Sequence, residues 1–525
     1  MENKFVKNLG NVSTTEKGAF GYKSTFDSMV DFNYKIASYR GKSEEEIKKE
    51  FDAILEKGEE DILKFLFYIR DIREGLGERR LFRICLKELV SHDFKNKKKI
   101  IRNLCDYIME YGRADDLFCL LEDSIDDGVK GIAYEYIVDL YSKDIIRCTK
   151  KEPVSLLAKW MPSENASSKN TKILAKILRE KLNMSPKTYR KSLSALREWL
   201  NVVERQMSAN QWGDIDYNRV PSKANLNYRN AFFKHDPERR EKYFDDLKNN
   251  VEGVKMNSSV NFPYEIVSRY ANAAAADEWS CDYEGLKIDE SLEFAWKNLK
   301  EIPAFENSLV VADDSGSMMT SIPGAGRATA MDVARSIAVY GAQHLRDAYH
   351  NKIMTFSETP QFLDISGKKT LKDILGYLEG HSEVGNTNIE AVFDLVLSTA
   401  VENDLKQEDL PKSIIIISDM EFDECAVSNS GYITRGGNPI KSAQKKFARA
   451  GYDLPTLIFW NVNSRTCTIP VKENKLGVLL ISGFSQNLFK MVSSGDLDTR
   501  KMLDNILNSD RYSKIEKIYL KGIDK

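Results

Sequence analysis

Five short, β-rich apolar runs in the second half of the chain constrain its fold most strongly. They cover residues 309–312, 353–356, 414–417, 456–460 and 478–481, and stretches with helical spacing, such as 331–345 and 389–400, lie between them. The first, third and fifth runs are almost continuously apolar, as expected for strands that are covered on both faces. Strands that alternate with helices indicate a parallel, doubly wound α/β sheet with right-handed crossovers.

The first half of the chain has a different periodicity. Between about residues 25 and 299 the apolar residues recur at helical spacing, and turns with Gly or Pro at 74–77, 161–163 and 184–186 separate the helical stretches. The apolar stripes are Ile62, Phe65, Leu66 and Ile69; Ile132, Tyr136, Leu140 and Tyr141; and Ile173, Ile177 and Leu178. We therefore predict an all-helical, HEAT-like array, although no repeat of fixed period is visible and the solenoid interpretation depends on helix succession alone.

The domain organisation follows from this change of periodicity. A chain of 525 residues is too long for one ordinary core and is expected to form about two to four domains. We predict a multidomain protein with an extended N-terminal segment over residues 1–20, an α-helical module over 21–300 and an α/β domain over 301–525.

Composition excludes several classes of protein. The net charge of −2 gives no global attraction to nucleic acid or membranes. The seven cysteines are odd in number and form no CxxC pair, which argues against a disulfide framework and a zinc ribbon and favours reduced thiols in a cytoplasm. Residues 1–21 offer no apolar core for a signal peptide, and no apolar run approaches the roughly 18 residues that a membrane span requires.

Polar residues follow the predicted strands at one edge of the sheet. Asp313, Ser315 and Ser317 follow the first run, Asp419 follows the third, and Thr387 precedes the helix that begins near residue 389. In a doubly wound sheet, ligands bind where the carboxyl ends of the strands meet at the switch point. Hard oxygen ligands of this kind favour Mg²⁺, with Mn²⁺ or Ca²⁺ as alternatives. The competing interpretation is that the hydroxyls cap helices and the aspartates fill turns.

Three further carboxylates lie close to these loops. Asp314 is expected to face solvent. Glu421 and Asp423 could support the metal ligands from behind, but an ordinary loop is the favoured interpretation for both.

The same five residues resemble the metal-ion-dependent adhesion site of von Willebrand factor A-type (vWA) domains. That motif is Asp-x-Ser-x-Ser followed by a distant Thr and a distant Asp, and 313–317, Thr387 and Asp419 match all of it. The resemblance implies a Rossmann-like vWA domain, direct approach of the serines and the threonine to the cation, and aspartates that act partly through water.

Two segments of the helical half resemble the TROVE module, the helical-repeat ring of the Ro autoantigen family. They are 70–80 (RDIREGLGERR) and 111–117 (YGRADDL), and a helical array followed by a vWA domain is also the Ro order. A closer likeness is to a broad family of uncharacterised proteins of plants, fungi, bacteria and phages with this architecture, through segments such as 189–191, 204–207, 220–222, 418–423, 459–461 and 482–485. The Ro resemblance implies binding of structured, non-coding RNA by the helical module.

Local charge gives separate support for RNA binding. Residues 169–242 contain seventeen Lys or Arg and eight Asp or Glu, a net charge of about +9. The candidate RNA-binding residues are Lys169, Lys172, Lys176, Arg179, Arg190 and Lys191, of which the first four recur at helical spacing. Aromatic residues that could stack on unpaired bases are Tyr189, Trp199, Trp212, Tyr217 and Tyr228. The alternative is a solvated basic face with aromatic residues in the core.

Three functions remain open on this basis. The leading hypothesis is a non-enzymatic, Ro-like scaffold that binds structured RNA through its helices and a carboxylate-bearing protein partner through the cation. The second is a cation-dependent protein-interaction scaffold without RNA. A metal-dependent hydrolase is less favoured, because no histidine lies beside the motif loops and no Walker A or GxSxG motif occurs.

Overall fold

The computed structural model describes residues 10–276, 281–356, 359–383, 388–422, 426–429, 432–435, 439–470, 477–493 and 498–520. Its strands are β1 Val12–Thr14, β2 Phe20–Tyr22, β3 Ser308–Asp313, β4 Lys352–Phe356, β5 Gln361–Asp364, β6 Ser413–Ser418, β7 Ala426–Asn429, β8 Tyr432–Arg435, β9 Thr456–Asn461 and β10 Val478–Ser482. Its helices are α1 Ser28–Tyr34, α2 Glu44–Leu55, α3 Ile62–Arg70, α4 Arg79–Ser91, α5 Lys97–Tyr111, α6 Asp127–Thr149, α7 Leu157–Trp160, α8 Lys169–Lys181, α9 Pro186–Trp199, α10 Val203–Ser208, α11 Ser222–His235, α12 Pro237–Lys248, α13 Pro263–Ala274, α14 Glu290–Lys297, α15 Ala330–His344, α16 Leu371–Glu379, α17 Ile389–Glu402, α18 Pro439–Ala450, α19 Phe489–Ser493 and α20 Thr499–Leu507. Short 3-10 helices include Ala114–Leu121 and Gly316–Met319.

The chain folds into two compact units that are each discontinuous in sequence. The sheet unit comprises Met1–Glu50 and Ser258–Ser509, and the helical unit comprises Phe51–Asn257 and Asp510–Lys525. This division differs from the predicted one, because residues 21–50 and 258–300 group with the sheet, and the last residues of the chain group with the helices. Contacts within each unit explain the difference. In the sheet unit, the Trp296 indole N–H donates to Gln343 and the Asn461 amide donates to the Tyr34 carbonyl, each at 2.9 Å. In the helical unit, Tyr512 packs against Tyr68.

The sheet unit contains a six-stranded sheet in the order β10-β9-β6-β3-β4-β5. All neighbouring pairs are parallel except β4 and β5, which pair antiparallel with Lys352 opposite Asp364. The α/β character of this half and all five predicted strands are confirmed, but the expectation of a wholly parallel sheet missed the antiparallel edge strand β5. The order of strands reverses between β3 and β6, so the switch point lies between these two central strands.

Both faces of the central strands are covered, as their apolar runs predict. Side chains of β3, β6, β9 and β10, among them Val311, Ile416 and Phe459, pack with Phe393 of α17 and Phe447 of α18 in one buried cluster. Residues at the intervening positions, including Val310, Ile415 and Trp460, are also buried. The sheet therefore provides a rigid base on which loops at its carboxyl edge are held.

Within the described residues of the helical unit, the regular secondary structure is helical, as predicted for most of this half of the chain. The stripe of Ile62, Phe65, Leu66 and Ile69 on α3 is completely buried. The third predicted stripe is wrong at Ile173, which is 50% exposed while Ala175 and Leu178 are buried. Position 173 lies one helical turn from both Lys169 and Lys176, so it shares their solvent-facing side of α8.

Candidate functional site

The loop that follows β3 presents its first polar side chains in a fixed arrangement. Asp313 ends the strand, and its Oδ1 accepts a hydrogen bond from the Ser315 backbone N–H at 3.0 Å. The short helix Gly316–Met319 then turns the chain, and the Ser315 and Ser317 hydroxyl oxygens lie 3.1 Å apart. The DxSxS segment therefore brings one carboxylate and two hydroxyls to the same side of the loop.

The loop that follows β6 completes this arrangement because β6 is the neighbour of β3. The Ser418 hydroxyl donates a hydrogen bond to Asp313 Oδ2 at 2.5 Å, and the Ser317 hydroxyl donates a hydrogen bond to the Asp419 carboxylate. Asp419 Oδ1 accepts from the Glu421 backbone N–H at 3.1 Å. Between them Met420 has a φ of 62°, a left-handed conformation that is strained for a residue with a side chain. Hydrogen bonds from the Met420 N–H to the Ser418 hydroxyl and from the Glu421 N–H to Asp419 hold the turn in this unfavourable conformation.

Burial gives these two aspartates unusual electrostatics. Both side chains are fully buried. Burial first, and then the negative charge of Asp419, raises the pKa of Asp313 to about 7. Burial also raises the pKa of Asp419, although hydrogen bonds and the Arg465 charge partly oppose this. Two buried carboxylates that disfavour each other's charge form a site that a divalent cation would stabilise.

The remaining predicted site residues have mixed outcomes. Thr387 and Asp423 lie outside the described residues. The helix that Thr387 precedes begins at Ile389, and Asn388 Oδ1 caps this helix by accepting a hydrogen bond from the Ala391 N–H. Asp314 does not face solvent: it is 3% exposed, and its carboxylate feels the positive charge of Arg335.

Glu421 is not part of an ordinary exposed loop. It is fully buried and accepts hydrogen bonds from the backbone N–H groups of Arg465 and Thr466, each at 2.8 Å, and from that of Glu16 at 3.0 Å. It therefore fixes the loop after β9 beside the site, and its charge contributes to the raised pKa of Asp419.

Arg465 is a residue of this site that the sequence analysis missed. Its Nη1 lies 3.1 Å from Asp419 Oδ2, and the same guanidinium contacts Glu16 at 2.8 Å. Arg465 follows β9, whose carboxyl end is at the same edge of the sheet as those of β3 and β6, so the predicted topology already contained the signal that could have found it. The guanidinium supplies positive charge to the carboxylate pair.

The donors at this site fit a hard divalent cation. Among the described residues they are the carboxylates of Asp313 and Asp419 and the hydroxyls of Ser315 and Ser317. A third hydroxyl, that of Ser418, donates to Asp313. Mg²⁺, Mn²⁺ and Ca²⁺ prefer oxygen ligands of this kind. Since the hydroxyls are neutral, a bound cation would keep positive charge and could accept an anionic group from outside.

The predicted RNA-binding residues of the helical unit do not behave alike. Lys169, Lys172 and Lys176 are exposed on α8, and within the described part of the chain they form no ion pair. Arg179 is instead engaged within the fold: its guanidinium contacts Glu164 at 2.8 Å, the Met184 carbonyl and Glu180. The fourth cation of the predicted stripe is therefore not available to a phosphate.

Arg190 and Lys191 are exposed on the neighbouring helix α9. Arg190 lines an open cavity of about 650 Å³ together with Lys159, Arg205 and Trp160. Tyr189, a predicted stacking residue, also lines this cavity.

Most of the predicted stacking aromatics lie in the core or are already stacked. Tyr189 and Tyr217 are buried, and the Trp212 ring stacks on His235 with ring centroids 4.3 Å apart. Tyr228 is half-buried, and Trp199 is 40% exposed. For most of these residues the packing interpretation accounts for the aromatic ring.

Two further findings concern the cysteines and the length and polarity of the helices. The six described cysteines are free thiols. Within the described residues, every helix is too short or too polar to cross a bilayer.

Comparison with known proteins identifies two matching family models. Residues 133–302 match a domain of unknown function designated DUF2828, and residues 307–517 match another, designated DUF7788. The chain is also similar to the uncharacterised protein L728 of Acanthamoeba polyphaga mimivirus, with 26% identity over 521 residues that cover 93% of this chain and 86% of the viral protein. The similarity therefore spans both halves of the chain and assigns no activity to either.

Proposed function

We propose that this protein is a non-enzymatic binding scaffold of the Ro-like type. Its sheet unit would hold one divalent cation, Mg²⁺ by preference, through Asp313, Ser315, Ser317, Thr387 and Asp419, in the manner of a vWA domain. The cation would accept a carboxylate of a protein partner. The helical unit would bind structured, non-coding RNA through the exposed basic residues of α8 and α9.

One observation supports the cation site above all others. The switch point of the sheet brings Asp313, Ser315, Ser317 and Asp419 together from two loops that are about one hundred residues apart in sequence. A set of helix caps and turns would not require two aspartates to be buried beside each other, since the single guanidinium that contacts Asp419 does not neutralise both charges. The shared burial therefore favours a ligand over the capping interpretation.

The polar groups around this site favour binding over catalysis. The Asp419 carboxylate already contacts Arg465, and Glu421 is saturated by backbone N–H groups. Neither is placed as a free general base, which hydrolysis at a metal site would need. Glu421 instead holds the loop that carries Arg465, and Arg465 orients Asp419 and adds positive charge beside the site.

Calorimetric titration with Mg²⁺ and Mn²⁺ tests the cation site. The Ser315→Ala/Asp419→Asn variant should lose binding by at least about a hundredfold, because it removes a hydroxyl and a charge from the ligand set. The control is Ser321→Ala, which alters an exposed serine in the following loop and should bind as the wild type does. Equal affinity of the double variant and the wild type would refute the assignment.

Exposed lysines on one face of α8, which form no ion pair with the residues that the structure describes, support RNA binding as the second part of the proposal. Replacing Lys169, Lys172 and Lys176 by Gln should weaken binding of both structured and single-stranded RNA. If all three contact phosphates of a single strand, the slope of log affinity against log salt should fall by about two. A matched charge control replaces three exposed lysines of the sheet unit, Lys406, Lys412 and Lys445. An unchanged slope in the α8 variant would remove α8 from the RNA surface, and absence of RNA binding by the wild type would leave the cation-dependent protein scaffold without RNA as the function.

A further inference from the structure

A second group of metal-ligating side chains lies in the helical unit. Asp52 is in the last turn of α2, while Glu88 and His92 lie one turn apart at the carboxyl end of α4. His92 Nε2 is 3.1 Å from Asp52 Oδ1 and 3.7 Å from Glu88 Oε1. The three ligand atoms all lie within 4.8 Å of one another. One imidazole nitrogen and two carboxylates thus converge on a single point.

These separations suit a metal ion that is bound by nitrogen and oxygen. Bonds of about 2.0–2.1 Å in a tetrahedral zinc site place neighbouring ligand atoms about 3.3 Å apart. The distances of 3.1 and 3.7 Å from His92 lie on either side of that value. The ligand oxygens of Asp52 and Glu88 lie at most 4.8 Å apart. Rotation of these two partly exposed side chains can bring the oxygens to the spacing of a zinc site.

The surroundings of the cluster are open to an ion and favour a cation. The side chains of Asp52 and His92 are 35% and 36% exposed, and that of Glu88 is 17% exposed. Glu88 and His92 lie at the negative end of the α4 dipole, where a positive charge is stabilised. The nearby Lys97 ammonium donates to the His92 carbonyl at 2.8 Å rather than to either carboxylate.

An ordinary ion pair explains the positions of these three side chains less completely than a bound cation does. A protonated His92 would hydrogen-bond Asp52 at 3.1 Å, but its Nε2 carries one proton, and the 3.7 Å distance to Glu88 is too long for a hydrogen bond. Glu88 Oε1 also accepts from the Ser91 hydroxyl at 3.3 Å, and a carboxylate oxygen can keep that hydrogen bond while a cation at the point of convergence binds both carboxylates and the imidazole.

The geometry points to a second divalent-cation site, formed by Asp52, Glu88 and His92, that binds Zn²⁺ or a similar transition metal. Nitrogen and carboxylate ligands select this class over Mg²⁺, and three protein ligands leave a fourth position for water. The bound ion clamps the end of α2 to the end of α4. This inference is independent of the proposed function, because the oxygen-only site of the sheet unit prefers a different class of cation.

Titration of the full-length, metal-stripped protein with Co²⁺, followed by displacement with Zn²⁺, tests the inference. The background is the Ser315→Ala/Asp419→Asn variant, so that any binding at the sheet site is removed. One equivalent of Co²⁺ should bind and give visible absorption of a low-symmetry nitrogen–oxygen site. His92→Gln should weaken binding by at least about a hundredfold, since it removes the only nitrogen ligand.

Two further variants keep the test decisive. Asp52→Asn preserves the size of the side chain and should also weaken Co²⁺ binding, whereas Glu56→Gln alters an exposed carboxylate just beyond the same helix and should have no effect. Zn²⁺ should raise the melting temperature of the background protein and of Glu56→Gln but not of His92→Gln. Absence of Co²⁺ binding in the background protein, or equal binding by His92→Gln, overturns the inference while leaving the sheet site untouched.

Discussion

Replacing Asp313 by Asn should stabilise the metal-free protein at alkaline pH. The wild-type carboxyl group has a pKa that burial and the charge of Asp419 raise from 3.8 to about 7 in the folded state. An acid whose folded-state pKa is raised contributes stability below its unfolded pKa, and this is lost as pH rises through the folded pKa. Each pKa unit is worth about 1.4 kcal/mol, so ionised Asp313 costs about 4 kcal/mol above pH 7. Asn cannot ionise and does not incur this cost.

The geometry indicates that Asn fits at this position. Its side-chain oxygen can accept the Ser315 N–H in place of Asp313 Oδ1. Its amide group can donate to the Ser418 hydroxyl oxygen in place of accepting from it, once that hydroxyl rotates. The substitution therefore removes the charge and retains both hydrogen bonds.

Hydrogen exchange of peptides that cover residues 309–312 measures this effect locally. In EDTA at pH 8, Asp313→Asn should protect these amides more than the wild type, by up to about 4 kcal/mol, and at pH 4 the two proteins should be alike. Saturating Mg²⁺ should reverse the order at pH 8, because only the wild type gains stability from the ion. If the variant is less stable than the wild type in EDTA at pH 8, Asp313 is an ordinary turn residue and the argument fails.

Two further predictions concern packing in each unit. Replacing Arg70 by Met should destabilise the helical unit by about 3 kcal/mol, because the completely buried Asp116 loses a 2.7 Å partner. Urea unfolding should show the loss, and the Arg70→Met/Asp116→Leu double variant should not recover it, because Arg83 and the Arg113 N–H would lose the same carboxylate. Replacing Gly341 by Ala in α15 should destabilise the sheet unit by about 1–2 kcal/mol despite the better helix propensity of Ala, because the new Cβ would lie 2.5 Å from the buried Phe489 ring. A gain in the free energy of unfolding would contradict this prediction. Adding Phe489→Leu to the variant should relieve the clash.

The sequence was sufficient to predict the centre of the sheet. Strands covered on both faces have continuous apolar runs, so β3, β6 and β10 were visible in the sequence, and polar residues directly after β3 and β6 marked the switch point. The edge strand β5 has no such signal, since Phe362 on it is 54% exposed and only its pairing with β4 fixes it as a strand.

Contacts between residues distant in sequence could not be predicted in this way. Arg179 fitted a basic stripe by spacing, but whether a guanidinium faces solvent depends on Glu164, fifteen residues away. Arg465 reaches Asp419 through the loop after β9. The assignment of the last residues to the helical unit depends on Arg511, whose guanidinium contacts Asp71 at 2.8 Å. Helical or strand periodicity reports which side of an element is buried and gives no information on these partners.

The segments that resemble the TROVE module have a structural role that explains their sequence. Arg70 from residues 70–80 and Arg83 of α4 both contact Asp116 from residues 111–117, each at 2.7 Å, and the Arg113 N–H donates to the same carboxylate. Residues 70–80 and 111–117 thus meet at one buried ion-pair network at the junction of three helices. A protein that uses this junction would need these residues whether or not it binds RNA. Packing alone therefore accounts for the residues of both segments, and RNA binding has to be decided at the exposed lysines of α8, which lie outside them.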